Sequence, residues 1–157
     1  MTSAEQICMK PIGFVKTQAK GNEVKDKSLV SKIEINPDHL EALEGLNEFS
    51  HLFVLFWLHE IPLEKREIKK IHPRGRSDMP LLGIFATRTN LRPNPIGLTL
   101  VELLDLKDNI LTVRGLDAFD RTPILDVKPY DFWDMEKDAK VPKWWKKLED
   151  EKNESKH

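Results

Sequence analysis

The distances between the chain's β-rich segments limit its fold more than any other feature. Strand signals appear at Lys10–Thr17, Ser31–Ile35, Ser50–Leu58, Leu82–Thr87, Pro95–Leu106, Ile110–Leu116 and Pro123–Tyr130. Lys32, Ile33, Glu34 and Ile35 alternate as a half-buried strand does. Ser50–Leu58 (SHLFVLFWL) is the most apolar stretch, rich in Phe, Val and Trp, and reads as a buried central strand. Asp108-Asn109 supplies a turn between two of the segments, while Ala19–Ser31, with Gly21-Asn22 and a charged Lys25-Asp26-Lys27, reads as a long loop. Parallel strands need crossover connections, usually helical, and the connections here are too short for a repeated strand–helix–strand unit. One short helix is expected, capped by Asn36, opened by Pro37, running through Leu40 and Leu43 and stopped by Gly45. The expected fold is therefore mainly β: a small antiparallel sheet closed into a barrel, with one short helix and a charged C-terminal tail.

Composition narrows what such a barrel can be. The chain has 157 residues, enough for one domain with an appendage, and 39% are hydrophobic, so a real core can form. Lys+Arg total 25 against Asp+Glu 26, which provides no overall field for a nucleic acid or a cationic partner. Seven glycines are few for a Gly-rich phosphate loop, and the single cysteine, Cys8, excludes an internal disulfide and a Cys-based zinc site. No apolar run approaches the roughly 20 residues that cross a bilayer. Met1–Lys10 lacks the apolar core of a signal peptide, so a soluble, cytoplasmic protein without a membrane partner is expected. Charge is unevenly spread: 12 Asp, Glu, Lys or Arg in residues 81–130, but 15 in the 27 residues from Asp131 to His157. The division expected is an N-terminal extension (1–9), a barrel domain (10–132) and a charged tail (133–157).

Three groups of residues can carry chemistry. In Gly83–Thr99 (GIFATRTNLRPNPIGLT) a strand runs through Thr87-Arg88 into a turn stiffened by Pro93 and Pro95. A stiff loop bearing Arg88 and Arg92 suits an anion or a planar polar group, because guanidinium offers a fixed fork of donors; a proline-pinned turn with solvated arginines gives the same pattern. In Leu116–Tyr130 (LDAFDRTPILDVKPY), Asp120 and Thr122 can stand at a pocket mouth and offer acceptors, or the segment is a turn followed by an Asp126–Lys128 ion pair on one strand face. His59-Glu60 closes the apolar strand, where a sheet presents groups to a ligand and where a structural histidine is equally at home.

Gly83-Ile84-Phe85-Ala86-Thr87-Arg88, then Arg92-Pro93-Asn94-Pro95-Ile96-Gly97, then Thr122-Pro123-Ile124-Leu125-Asp126-Val127-Lys128-Pro129-Tyr130 resemble the signature of the TsaA-like family, the TrmO-type tRNA methyltransferases. Ile12-Gly13 and Phe49-Ser50-His51-Leu52 match as well, and the resemblance spans about Lys10 to Phe132 in order. It implies a small β-barrel that binds S-adenosylmethionine (AdoMet) without a Rossmann fold, works as a homodimer, and N6-methylates threonylcarbamoyladenosine next to the anticodon of a tRNA. The family's cofactor contacts carry over to His59, Glu60, Arg88, Leu98, Asp120, Arg121, Thr122 and Pro123. By that resemblance Arg88 pairs with the AdoMet carboxylate, Leu98 packs on the adenine, and Asp120 or Glu60 accepts from hydroxyl or amino groups. No metal or covalent nucleophile is implied, and no catalytic residue is named. The alternative is a noncatalytic barrel that binds AdoMet or RNA for regulation.

The chain departs from the family in three places. His59-Glu60 stands where His-Gln or His-Arg is common, Arg121 replaces the glycine of Asp-Gly-Thr-Pro, and the N-terminal Pro-Arg-Gln contact has no counterpart between Ala19 and Ser31. A glycine at position 121 would permit positive φ or close approach to the cofactor. Two cationic segments suit a tRNA partner. Glu64–Arg76 carries Lys65, Arg66, Lys69, Lys70, Arg74 and Arg76 against two glutamates, and the tail sets Trp144-Trp145 among lysines. The tryptophans can stack on RNA bases or dock on the body or a dimer partner.

Overall fold

Strict alternation decides which side chains a sheet can bury. In the computed structural model, which describes residues 5–156, it operates on six strands. These are β1 (Gly13–Lys16), β2 (Val30–Ile35), β3 (His51–Trp57), β6 (Ile96–Lys107), β7 (Ile110–Arg114) and β8 (Pro123–Pro129). They close into an antiparallel barrel in the order β1-β2-β7-β6-β3-β8. Two further short strands, β4 (Lys70–Ile71) and β5 (Leu82–Gly83), pair separately between β3 and β6. The mainly-β barrel expected from the sequence is the observed fold; the expected extension, residues 1–9, lies partly outside the described residues.

Inward positions follow the pattern of each strand. Val15, Ile33, Ile35, Leu52, Val54, Phe56, Val101, Leu111, Val113 and Ile124 fill the interior. Burying each such side chain is favourable by about 1.5–3 kcal/mol relative to leaving it exposed. The outward Phe53, Leu55 and Trp57 of β3 are apolar too, which is why this strand reads as one continuous run. Phe53 packs edge-on against Tyr130 at 5.6 Å, and Arg66 lies over Trp57 at 5.3 Å. Bulges interrupt the β3–β8 register after Leu55 and the β6–β7 register after Leu103, breaking the alternation there.

Three segments differ from expectation. Only Leu82–Gly83 of the expected strand Leu82–Thr87 pairs; Ile84–Ala86 turns as a 3-10 segment because the Thr87 N–H and hydroxyl both donate to the Ile84 carbonyl (3.1 and 2.8 Å). The expected short helix forms at Pro37–Leu43 but is 3-10, with Asn36 Oδ1 accepting from the Asp38 N–H at 3.0 Å and Gly45 left-handed at φ 85°. The charged tail contains the α-helix of the described residues, α1 (Lys143–Glu154).

α1 is fixed to the body by one buried leucine and a charge cluster. Leu148 is buried, and Arg76 reaches both Asp78 and Glu151 at 2.6 Å while Lys147 meets Asp78 at 3.2 Å. The hydrogen bonds from Arg76 hold the Asp78 carboxyl far below its ordinary 3.8 and the Glu151 carboxyl below its ordinary 4.5. Both folded values are depressed, so the contribution to docking is complete above the ordinary carboxylate range and is lost as pH falls through the folded values, below about pH 4. Acidification is expected to red-shift emission from Trp144 and Trp145 at low ionic strength, and Arg76→Ala to abolish that transition. Identical titrations for the two proteins would exclude the latch.

Candidate functional site

Strand register gathers the long connections at one end of the barrel. Trp57, the last residue of β3, pairs with Ile96, the first of β6, and Phe56 pairs with Ile124 at the start of β8. The connections 17–29, 58–95 and 115–122 therefore emerge at the same rim, whereas the Asp108-Asn109 turn lies at the other. This end carries His59-Glu60, the Thr87–Pro95 loop and the Asp120–Thr122 turn together.

A cavity of about 700 Å³ opens at this rim, with Phe56, Leu58, Arg88, Leu98 and Asp117 in its lining. That is within the usual size of a small-molecule site. The two loop arginines have different tasks. Arg92 turns back on its own loop, its Nη1 donating to the carbonyls of Thr87 (2.8 Å) and Thr89 (3.2 Å), with its guanidinium over Phe85. The Leu58 N–H donates to the Pro95 carbonyl at 2.8 Å, tying the same loop to the end of β3. Arg88 is exposed and, among the described residues, makes no hydrogen bond or ion pair within the chain. The loop is thus braced by one guanidinium and presents the other.

Leu98 lies on the outer face of β6, opposite Leu55 and about half exposed at the cavity wall. His59 and Glu60 are exposed in the turn directly after Leu58, on the same rim but outside the cavity lining. Asp120–Pro123 fastens β1 to β8. Asp120 Oδ1 accepts from the Thr17 N–H at 3.1 Å, the Arg121 N–H donates to the Val15 carbonyl at 2.8 Å, and the Thr122 carbonyl accepts from the Val15 N–H at 3.0 Å. Thr122 is buried, and Pro123 sits opposite Phe14. The structure thus brings Arg88 and Leu98 into one cavity and leaves the other six at the same end of the barrel but outside its lining.

Asp117 is the lining residue that the sequence pattern missed. Its carboxylate accepts a hydrogen bond from the Thr99 hydroxyl. The available signal was Thr99 itself, a polar residue at a core-facing position of β6, which needs a partner when buried. Together the cavity offers the cations Lys27 and Arg88, a carboxylate and an apolar wall, which suit a zwitterion that carries a planar group. Asp126 and Lys128 form an ion pair at 3.0 Å, the structural alternative for that strand.

Arg121 stands in the left-handed region, at φ 64°, where the resembled family has glycine. A side chain there costs about 1–2 kcal/mol, partly offset by the greater unfolded-state freedom of glycine. Its guanidinium makes no hydrogen bond or ion pair among the described residues. Arg121→Gly is expected to raise the thermal midpoint by about 1–4 °C. A lower midpoint in differential scanning calorimetry would mean that the arginine side chain stabilises the turn.

The chain's relatives point the same way. A family model described as the tRNA-methyltransferase O N-terminal domain matches residues 17–134. A probable S-adenosyl-L-methionine-binding protein of Methanothermobacter thermautotrophicus is 44% identical over 130 residues, 80% of this chain and 90% of the relative. One from Pyrococcus abyssi, similarly described, is 35% identical over 132 residues, 79% of this chain and 68% of the relative. A crystal structure of TrmO from Pseudomonas aeruginosa superposes with a TM-score of 0.72 at 29% identity, over 91% of this chain. The chain spans 63% of that TrmO chain.

Proposed function

Because the chain belongs to the tRNA-methyltransferase O N-terminal family, we propose that it is an AdoMet-dependent tRNA methyltransferase acting on N6 of adenosine, in its threonylcarbamoyl form next to the anticodon. The observation that carries this reading is the rim cavity, where Arg88 has no partner among the described residues while its neighbour Arg92 braces the loop.

The residues present fit the cofactor. Arg88 would hold its carboxylate, Asp117 would accept from a hydroxyl or amino group, and Leu98 with Phe56 would supply the apolar wall. When bound, AdoMet supplies an electrophilic methyl group on a sulfonium. The chain's own task is to orient and exclude water, and positioning supplies much of the rate in such a displacement. His59, Glu60, Asp120, Arg121, Thr122 and Pro123, at the same end of the barrel, are the further cofactor contacts of this reading. A homodimer in which the second copy closes the cavity over Ile96, Leu98 and Leu100, the exposed apolar row on the outer face of β6, is part of this reading. No helix among the described residues is long and apolar enough to cross a membrane, and a cytoplasmic location follows from the tRNA substrate.

The test is radiolabelled methyl transfer from AdoMet into tRNA from cells able or unable to make threonylcarbamoyladenosine. Label in the first pool alone is expected. Label in both would remove the need for prior modification. Label in neither, with AdoMet bound to folded protein, would sink the substrate and leave the regulatory, noncatalytic reading.

A further inference from the structure

A second cavity, of about 680 Å³, lies beneath α1 and shares only the segment Thr87–Asn90 with the rim site. Its walls are the Ile71–Gly75 turn, the segment Thr87–Asn90 and the helix face bearing Trp144, Trp145 and Leu148. Four cations, Lys25, Arg74, Arg88 and Lys152, line it against one carboxylate, Glu149. α1 begins beyond the residues matched by the family model, while the other walls of the cleft lie within them.

We propose that the cleft under α1 is a nucleotide site for single-stranded RNA, with a base against the tryptophans and its phosphates on Arg74 and Lys152. The inference rests on the reading of the protein as an RNA methyltransferase and names where that RNA is held.

Three observations support it. The tryptophans are held in place: they pack edge to face at 5.7 Å, and the helix carrying them is pinned through Leu148 and through Arg76 to Glu151. Trp145 nevertheless stays 37% exposed, which a stacking platform requires. His72 Nδ1 lies 2.8 Å from the Met79 carbonyl, which can only accept, so Nδ1 carries the proton. That bond fixes the ring in the wall of the cleft, where it can meet a base or a ribose hydroxyl. Finally, Thr87–Asn90 lines both cavities, so RNA under α1 meets the proposed methyl-donor cavity at Arg88.

Ligand chemistry separates the possible occupants. A nucleotide has a flat π face and phosphates, and uses both the rings and the cations. An acidic peptide would leave the rings idle, and an apolar ligand would leave four cations without partners.

The test is anisotropy of a fluorescein-labelled RNA stem-loop titrated with the whole chain, with AdoMet binding followed separately by calorimetry. Trp145→Ala is expected to weaken RNA binding about five- to a hundredfold, with Trp145→Phe restoring most of it. Lys152→Glu is expected to weaken binding and to reduce the salt slope by about 1. Near-ultraviolet circular dichroism checks that α1 stays docked in each variant, and AdoMet affinity should not change. RNA affinity unchanged in both Trp145→Ala and Lys152→Glu would overturn the proposal even if the protein methylates tRNA. So would a wild-type protein that binds no RNA, or one that binds a poly-glutamate peptide equally well at the cleft. Failure of methyl transfer with RNA binding lost in the variants would instead refute the enzymatic reading alone.

Discussion

Arg88→Ala is expected to lower affinity for AdoMet about ten- to a hundredfold while leaving the thermal midpoint where it is. The range is that of a hydrogen bond to a charged group, removed from a site that keeps its shape. The midpoint holds because Arg88 has no partner within the chain among the described residues. Arg92→Ala makes the contrast. Removing that side chain strips the carbonyls of Thr87 and Thr89 of a donor, so stability and binding should fall together. Arg88→Lys should recover only part of the loss, since an ammonium lacks the fork that grips both carboxylate oxygens. Titration calorimetry on the three variants checks this, and unchanged affinity for Arg88→Ala would remove Arg88 from the site.

Gly13→Ala is expected to destabilise the barrel by about 3 kcal/mol or more, lowering the thermal midpoint by about 6–12 °C. A Cβ at Gly13 would run into the backbone of β2, against the Glu34 carbonyl oxygen and, at 2.9 Å, Ile35 Cα. Backbone cannot move aside as a flexible side chain would. β1 cannot retreat either, because its other edge is bonded to β8, where the barrel closes. The clash must therefore be relieved by opening the β1–β2 ladder, which also disturbs the fastening of Asp120 and Arg121 to β1. Circular dichroism melts would test this; an unchanged midpoint would show that the ladder yields without cost.

Much of the fold was legible because its cause is local. Ile33 and Ile35 alternate with charged residues, and that period alone places them inward. The expected strand at Leu82–Thr87 stops after Gly83 because only Lys70 and Ile71 lie alongside, and no local pattern reveals a missing partner. The helix in the tail was hidden for a related reason. Its apolar face consists of little more than Trp144, Trp145 and Leu148 among charges, and it is held by ion pairs to a distant loop.

The basic stretch Glu64–Arg76 shows how far charge counting reaches. Its excess of cations is only partly a free surface: Lys65, Lys69 and Lys70 stay exposed, while the three arginines are drawn into other contacts. Arg66 lies on Trp57 and donates to the Ile61 carbonyl at 3.2 Å, Arg76 is taken up by Asp78 and Glu151, and Arg74 faces the cleft under α1.

By itself the sequence determined the antiparallel barrel and a stiff loop bearing two arginines, because strand period, proline and connection length act between near neighbours. Only the tertiary structure decided which arginine braces and which is presented, that Asp117 meets Thr99, and that the cationic loop and the tail helix enclose a cleft. Those outcomes depend on partners 18 residues apart for Asp117 and Thr99, 75 for Arg76 and Glu151, and 103 for Thr17 and Asp120. Closing the barrel brings these atoms together, and no periodicity along the chain encodes which of them will meet.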